Sequence, residues 1–158
     1  MTRTRYMTAV LVAGLALAGL LPAGTARAQE GLGVGVIAGE PTGVCMKAWL
    51  SRTTAFSAAA AWSWSGEEAL ELHGDYLIHN YNTFPVQTGA LPFYYGVGAR
   101  LKLNDRDPAV GIRVPLGVSY LFATRPLDLF LEVAPILDIT PGTVVKMSAA
   151  LGVRYTLR

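Results

Sequence analysis

The chain has 158 residues, of which 15 % are charged, and a formal net charge of +2. A soluble domain usually carries about 25 % charged residues, and a balance this near neutral gives no electrostatic footprint for nucleic acid. The length suits one domain, and a single cysteine, Cys45, excludes an intramolecular disulfide.

The first element is a leader. Arg3 and Arg5 precede the apolar run Ala9–Leu21, then Pro22 and the small-residue site Ala26-Arg27-Ala28. A basic start, a short apolar run and an A-x-A site predict a secretory signal peptide over 1–28, cut before Gln29. The run is too short to span a bilayer comfortably as a helix. Its removal takes Arg3, Arg5 and Arg27, so 13 basic residues become 10 against 11 acidic ones. Residues 29–158 hold no apolar stretch long enough for a spanning helix. An exported chain with few charges and no spanning helix points to a membrane β-barrel.

Eight alternating segments follow in order. Gly31–Gly39 ends at the turn Glu40-Pro41-Thr42-Gly43, and Val44–Leu50 at Ser51-Arg52-Thr53-Thr54. Ala55–Trp64 ends at Ser65-Gly66-Glu67-Glu68. Ala69–His79 leads into the longest connection, Asn80–Pro92, where Asn-Tyr-Asn-Thr-Phe still alternates and predicts that the strand runs on through Tyr81–Val86. Phe93–Leu103 ends in the turn 104–108. Val110–Phe122 and Leu127–Ile139 contain Pro115 and Pro135, each of which forfeits a ladder hydrogen bond and suggests a bulge. Val144–Arg158 closes the series. Turn-forming Pro, Gly, Asn and Asp concentrate in the connections. Regular spacing predicts a meander of hairpins.

Successive strand side chains point to opposite faces. One face collects Val44, Met46, Leu50, Phe56, Trp62, Leu72, Tyr76, Tyr95, Leu101, Ile112, Val118, Leu131, Met147 and Tyr155, without a charge. The other takes every strand charge: Lys47, Glu71, Asp75, Arg100, Lys102, Arg113, Asp128, Glu132, Asp138, Lys146, Arg154 and Arg158. Between those charges stand small residues, among them Gly33, Gly35, Ser57, Ala59, Gly96, Gly98, Gly111, Gly117 and Gly152. A solvated outer face would carry more long polar side chains. A narrow barrel has room inside for small residues and a few long charged ones. The charged face is therefore assigned to the lumen and the apolar face to lipid. Trp62, Trp64, Phe93, Tyr95, Tyr120, Phe122 and Tyr155, near strand ends, suit interfacial aromatic girdles. The expected fold is a closed, antiparallel, up-and-down, eight-stranded transmembrane β-barrel.

The segments YYGVGARLK, GIRVPLGVSYLF, DLFLEVAPILDITP and LGVRY resemble a family of short bacterial outer-membrane β-barrels. That family is similar in architecture to OmpA-type eight-stranded transmembrane domains. The resemblance implies residence in the cell outer membrane, contact with outer-membrane lipid, handling by the barrel-insertion machinery and a monomeric state. It also implies a terminal aromatic residue, and this chain departs from that by closing on Thr156-Leu157-Arg158.

The stretch ALELHGDYLIH, Ala69–His79, holds both histidines, His73 and His79, with Glu71 and Asp75 flanking His73. All four share the lumen face. Charges confined in a poorly hydrated lumen must pair. The candidate site is thus a lumen charge network of Lys47, Glu71, His73, Asp75, Arg100, Lys102, Arg113, Glu132, Lys146 and Arg154. It reads first as a salt-bridged filling and second as a narrow ion or solute pore. Catalysis is disfavoured, since Ser57, Ser63, Ser119, Ser148 and both histidines face away from lipid and no nucleophile meets substrate. Glu71 and His73 alone do not make a metal site. Gly33-Val34-Gly35-Val36-Ile37-Ala38 imitates a dinucleotide fingerprint, but Pro41-Thr42-Gly43 forbids the helix it needs. Neither a catalytic residue, a metal nor a cofactor is assigned. The competing reading of another class is a soluble periplasmic barrel carrying a hydrophobic ligand.

Overall fold

The structure is a computed structural model that describes residues 31–40, 42–63, 69–104 and 108–157. The leader 1–28, the turn 65–68, Trp64 and Arg158 lie outside the described residues. Nine strands follow in chain order: β1 Leu32–Glu40, β2 Thr42–Trp49, β3 Thr54–Ser63, β4 Ala69–Asn80, β5 Phe93–Leu103, β6 Ala109–Arg113, β7 Leu116–Leu121, β8 Leu127–Thr140 and β9 Val144–Leu157. They form eight staves, because β6 and β7 are two halves of one. Every stave pairs antiparallel with its sequence neighbours, and β1 pairs with β9, so the ring closes.

The stagger can be read from the register. From Arg154 on β9, paired positions lead through Gly35, Cys45, Ala59, His73, Arg100, Gly111 and Asp138 back to β9 at Val144, a shift of ten residues. A closed ring needs such a shear, and it tilts the strands against the barrel axis. One result is local. Pairing of β1 with β9 stops at Glu40 opposite Ala149, so Val144–Ser148 stand beyond the reach of β1.

Alternation sets the two faces as expected. On β8, Asp128, Phe130, Glu132, Ala134, Ile136 and Asp138 are buried, while Leu129, Leu131, Val133 and Leu137 are exposed. Outward exposure reaches 73 % at Val145 and 70 % at Met147. Inside, small residues make room for large ones. A side chain at Gly117 would meet the Tyr94 ring, one at Gly152 the Phe130 ring, and one at Gly98 the Asp75 carboxylate.

Two expectations are corrected. β4 does not run on through Tyr81–Val86; it ends at Asn80. Its neighbours end there too, at Thr54 of β3 and Phe93 of β5. Past Asn80 no partner backbone remains, and the Asn80 side chain accepts the Asn82 N–H instead, which turns the chain. The connection then folds back to β7 through the bridge Ala90–Leu121, with the Tyr120 hydroxyl donating to the Thr88 carbonyl.

The two prolines do not make a bulge. Pro115 breaks its stave into β6 and β7, yet the register resumes unshifted, from Arg113–Ile136 to Leu116–Val133. Val114 N–H donates to the Pro135 carbonyl across the break, so both prolines sit at one interruption. The register irregularity falls elsewhere, between Val110 and Gly111.

The outward aromatics are unevenly divided between the two ends. Phe56, Tyr76, Phe93, Tyr95, Tyr120, Phe122 and Tyr155 all lie toward the end where β1 begins and β9 ends, here called the terminal end. Among the described residues, Trp62 is the one outward aromatic toward the opposite end, the mouth. Among the described residues the strand tips at the mouth otherwise carry aliphatic residues such as Leu103, Val110, Ile139 and Val145, and Trp64, expected at that end, lies outside the described residues.

Candidate functional site

Three tiers of paired side chains fill the lumen. Each is delivered by the period-two alternation, which sends every second residue of a stave inward.

At the terminal end the centre is Asp128, on β8. Its Oδ1 accepts from Ser119 Oγ at 2.6 Å, and its Oδ2 lies 2.9 Å from Arg154 Nη1 and 3.4 Å from Lys47 Nζ. Aromatic rings cover these cations. Lys47 Nζ stands 4.2 Å from the centroid of Trp49, and the Arg154 guanidinium 3.7 Å from that of Phe130. Trp49, His79 and Tyr94 continue the layer, with ring centroids 4.5 and 5.3 Å apart. His79 Nδ1 lies 3.3 Å from the Thr53 carbonyl, which anchors the ring to the connection between β2 and β3. Below, in the 81–92 connection, burial first and the Asp128 charge second push the Tyr81 phenol up to about 12. That hydroxyl stays protonated, and so uncharged, beneath the layer.

The middle tier is built on Arg113, which is 1 % exposed. Its Nη2 meets Glu132 Oε1 at 2.5 Å, and its Nε lies 3.3 Å from Asp75 Oδ1. The second Glu132 oxygen accepts from the Tyr94 hydroxyl at 2.9 Å. Tyr94 thereby ties the middle tier to the aromatic layer. Ile37, Cys45, Ala61, Leu77, Tyr94 and Phe130 form an apolar cluster around the same level.

Toward the mouth, Arg100 holds two acids. Nη1 lies 3.0 Å from Glu71 Oε2, and Nη2 reaches both oxygens of Asp138, at 2.6 and 2.7 Å. Lys146 Nζ shares Asp138 at 3.0 Å. His73 stands between tiers, 3.8 Å from Glu71 and 3.9 Å from Asp75.

All ten candidate residues therefore face the lumen or its mouth, and eight of them share the ion pairs above. His73 pairs with its two neighbours only when protonated. Lys102 differs. Its register partner on β4 is Glu71, yet Glu71 turns to Arg100. Among the described residues nothing pairs with Lys102.

Sequence reasoning placed Asp128 and Asp138 on the charged face without counting them in the site, and each proves to be the carboxylate at which two cations meet. A signal existed for one, since the hairpin register sets Asp128 opposite Arg154. Tyr94 and Phe130 were harder to find. Trp49 stands two residues after Lys47 on β2, so alternation sets the two side by side, whereas Phe130 meets Arg154 and Tyr94 meets Glu132 from different strands, which alternation along one strand does not report.

Little space is left between the tiers. One lumen cavity, beside His73, Arg113, Glu132 and Arg154, has a volume of about 20 Å³, enough for about one water. A second concavity of about 310 Å³ opens at the mouth. Among the described residues no three His, Cys, Asp or Glu side chains converge on a metal position. Two of the strand serines are engaged within the lumen, Ser57 with the Met46 carbonyl and Ser119 with Asp128.

Two solved structures share this fold. The N-terminal β-barrel domain of Pseudomonas aeruginosa OprF superposes with a TM-score of 0.65 at 13 % identity, over 82 % of this chain and 98 % of that one. Neisserial surface protein A gives 0.55 at 12 % identity, over 80 % and 93 %. No protein-family model matches the sequence, and no curated protein matches it. The likeness is one of fold: an eight-stranded barrel.

Proposed function

We propose that the protein is a monomeric barrel of the bacterial outer membrane with a plugged, salt-bridged lumen and a structural or interaction role, without catalysis. One observation carries this reading: the apolar side chains are outside and the ionic ones inside. Val36, Val97, Leu131, Val145, Met147 and Leu151 are each more than half exposed, whereas Lys47, Asp75, Arg113 and Arg154 are at most 2 % exposed. Water would penalise that outer surface, and lipid welcomes it. A soluble carrier of hydrophobic ligands needs the reverse arrangement and an apolar cavity, and the lumen cavity beside His73, Arg113, Glu132 and Arg154 has a volume of about 20 Å³.

Export by residues 1–28, lipid contact around the ring and delivery by the barrel-insertion machinery belong to the same proposal. A role as a pore is the weaker reading, because a path would have to pass Arg113 and its partners Asp75 and Glu132. The name of one structural relative, Neisserial surface protein A, agrees with a cell-surface location.

Two measurements test this. Cell fractionation should recover the mature chain, beginning at Gln29, in the outer membrane, with a gel band that shifts on heating. Planar bilayers containing the refolded protein should show no steady current. Recovery in the soluble periplasm would overturn the membrane reading, and regular small channels would make the lumen a permeation path.

A further inference from the structure

The concavity at the mouth is lined by Lys102, Asn104, Asp138, Thr140, Gly142 and Lys146, together with backbone and apolar neighbours. Among the described residues three cations, Arg100, Lys102 and Lys146, stand over two carboxylates, Glu71 and Asp138. Arg100 takes one oxygen of Glu71 and both of Asp138, and Lys146 adds a third contact to Asp138. Both acids are thus already engaged. Lys102, half-buried, is left with an ammonium that no acid among the described residues meets, and the Lys146 side chain is 44 % exposed.

We infer that this mouth is a binding site for a phosphate-class oxyanion, held between the ammonium groups of Lys102 and Lys146. A lysine pair binds such an anion as point charges. Thr140 supplies a neutral donor. Its Oγ1 already accepts the Val110 N–H at 3.2 Å, so its hydroxyl proton is free to point elsewhere. The volume of about 310 Å³ admits a hydrated tetrahedral anion, unlike the lumen cavity below it. The shear of the barrel keeps the site open, since Val144–Ser148 rise past the last β1 pair and wall the concavity on one side. Free phosphate and a lipid phosphate headgroup both present the anionic oxygens this site would hold.

The inference rests on the barrel geometry and is independent of whether the lumen conducts. Its test uses the full mature chain refolded in zwitterionic micelles, with lysine side-chain NMR as the readout. Inorganic phosphate is titrated against chloride at equal ionic strength. In a second arm the micelles are doped with phosphatidic acid in place of phosphatidylcholine. Lys102→Gln and Lys146→Gln are run beside the parent, after a heat-shifted band has shown each to be folded. Lys102 has no ion pair to lose among the described residues, so its variant should fold as the parent does.

A saturable phosphate shift at Lys102 and Lys146, weakened about tenfold in either variant, supports the proposal with a soluble ligand. A shift seen with phosphatidic acid alone supports it with a lipid source. Responses no larger than those to chloride in both arms, or titrations unchanged in both folded variants, overturn it.

Discussion

Lys47 and Lys146 both enter the lumen from strands and both pair with an aspartate on β8, and their surroundings differ in every other respect. Lys47 is 1 % exposed, 3.4 Å from Asp128, with Trp49 across its ammonium. Lys146 is closer to its partner, 3.0 Å from Asp138, yet its side chain is 44 % exposed. The shorter pair is the wetter one. Distance therefore does not rank these ion pairs; the rings around them do. Below, Trp49, His79, Tyr94 and Phe130 exclude water and leave a buried charge dependent on its partner. Above, no aromatic side chain among the described residues lines the concavity, and water competes for every contact.

The comparison is tested most severely in the middle tier, just above the aromatic layer. Glu132→Ala removes a partner from Arg113 and from Tyr94 at once. A guanidinium 1 % exposed is then left short of charge. The expected loss is about 3–5 kcal/mol, the usual cost of breaking a buried pair by deleting one side. Urea unfolding followed by loss of the compact gel band measures it. A variant as resistant as the parent would mean that the tier is solvated and the plug is not dry.

A steric change in the same layer should cost somewhat less. Gly117→Val places a branched side chain where the Tyr94 ring lies. The ring must leave, and overpacking of this kind costs about 1–3 kcal/mol. Because Tyr94 also bonds Glu132, the effect should shrink when Tyr94→Ala is already present. Additive losses would place the ring elsewhere. Tyr94→Phe isolates the hydrogen bond: it keeps the ring and deletes the hydroxyl that Glu132 accepts, for about 1–2 kcal/mol.

How much of this was legible without coordinates follows from the same contrast. Alternation is a local property, so Lys47, Glu71, Asp75, Arg100, Arg113, Glu132 and Arg154 could be put on one face strand by strand. The abundance of glycine on that face identified it as the inner one. Pairing across the lumen is not local. Arg100 reaches Asp138 past its own register partners, and Lys102 loses Glu71 to Arg100. The end of β4 was also beyond alternation, because Tyr81–Val86 keep the pattern and lack only a neighbour to pair with. Pro115 and Pro135 were read as two separate defects. They are one, since Val114 and Pro135 meet across the break.

Lys146→Gln gives the smallest expected effect and bears most directly on the difference between the two ends. Asp138 keeps two contacts from Arg100 after the lysine is gone, so no buried charge is stranded. The lost pair is half in water, where such contacts are worth about 0.2–1 kcal/mol and are screened by salt. Urea unfolding at low salt should show a loss of that order, and at about 1 M salt, where the screening length falls to about 3 Å, the loss should vanish. Glu132→Ala should keep its full deficit at both salt concentrations, since Arg113, Asp75 and Glu132 are buried and the cavity beside them admits about one water. If the two variants respond to salt alike, the mouth and the middle tier share one dielectric environment, and the aromatic layer does not explain their difference.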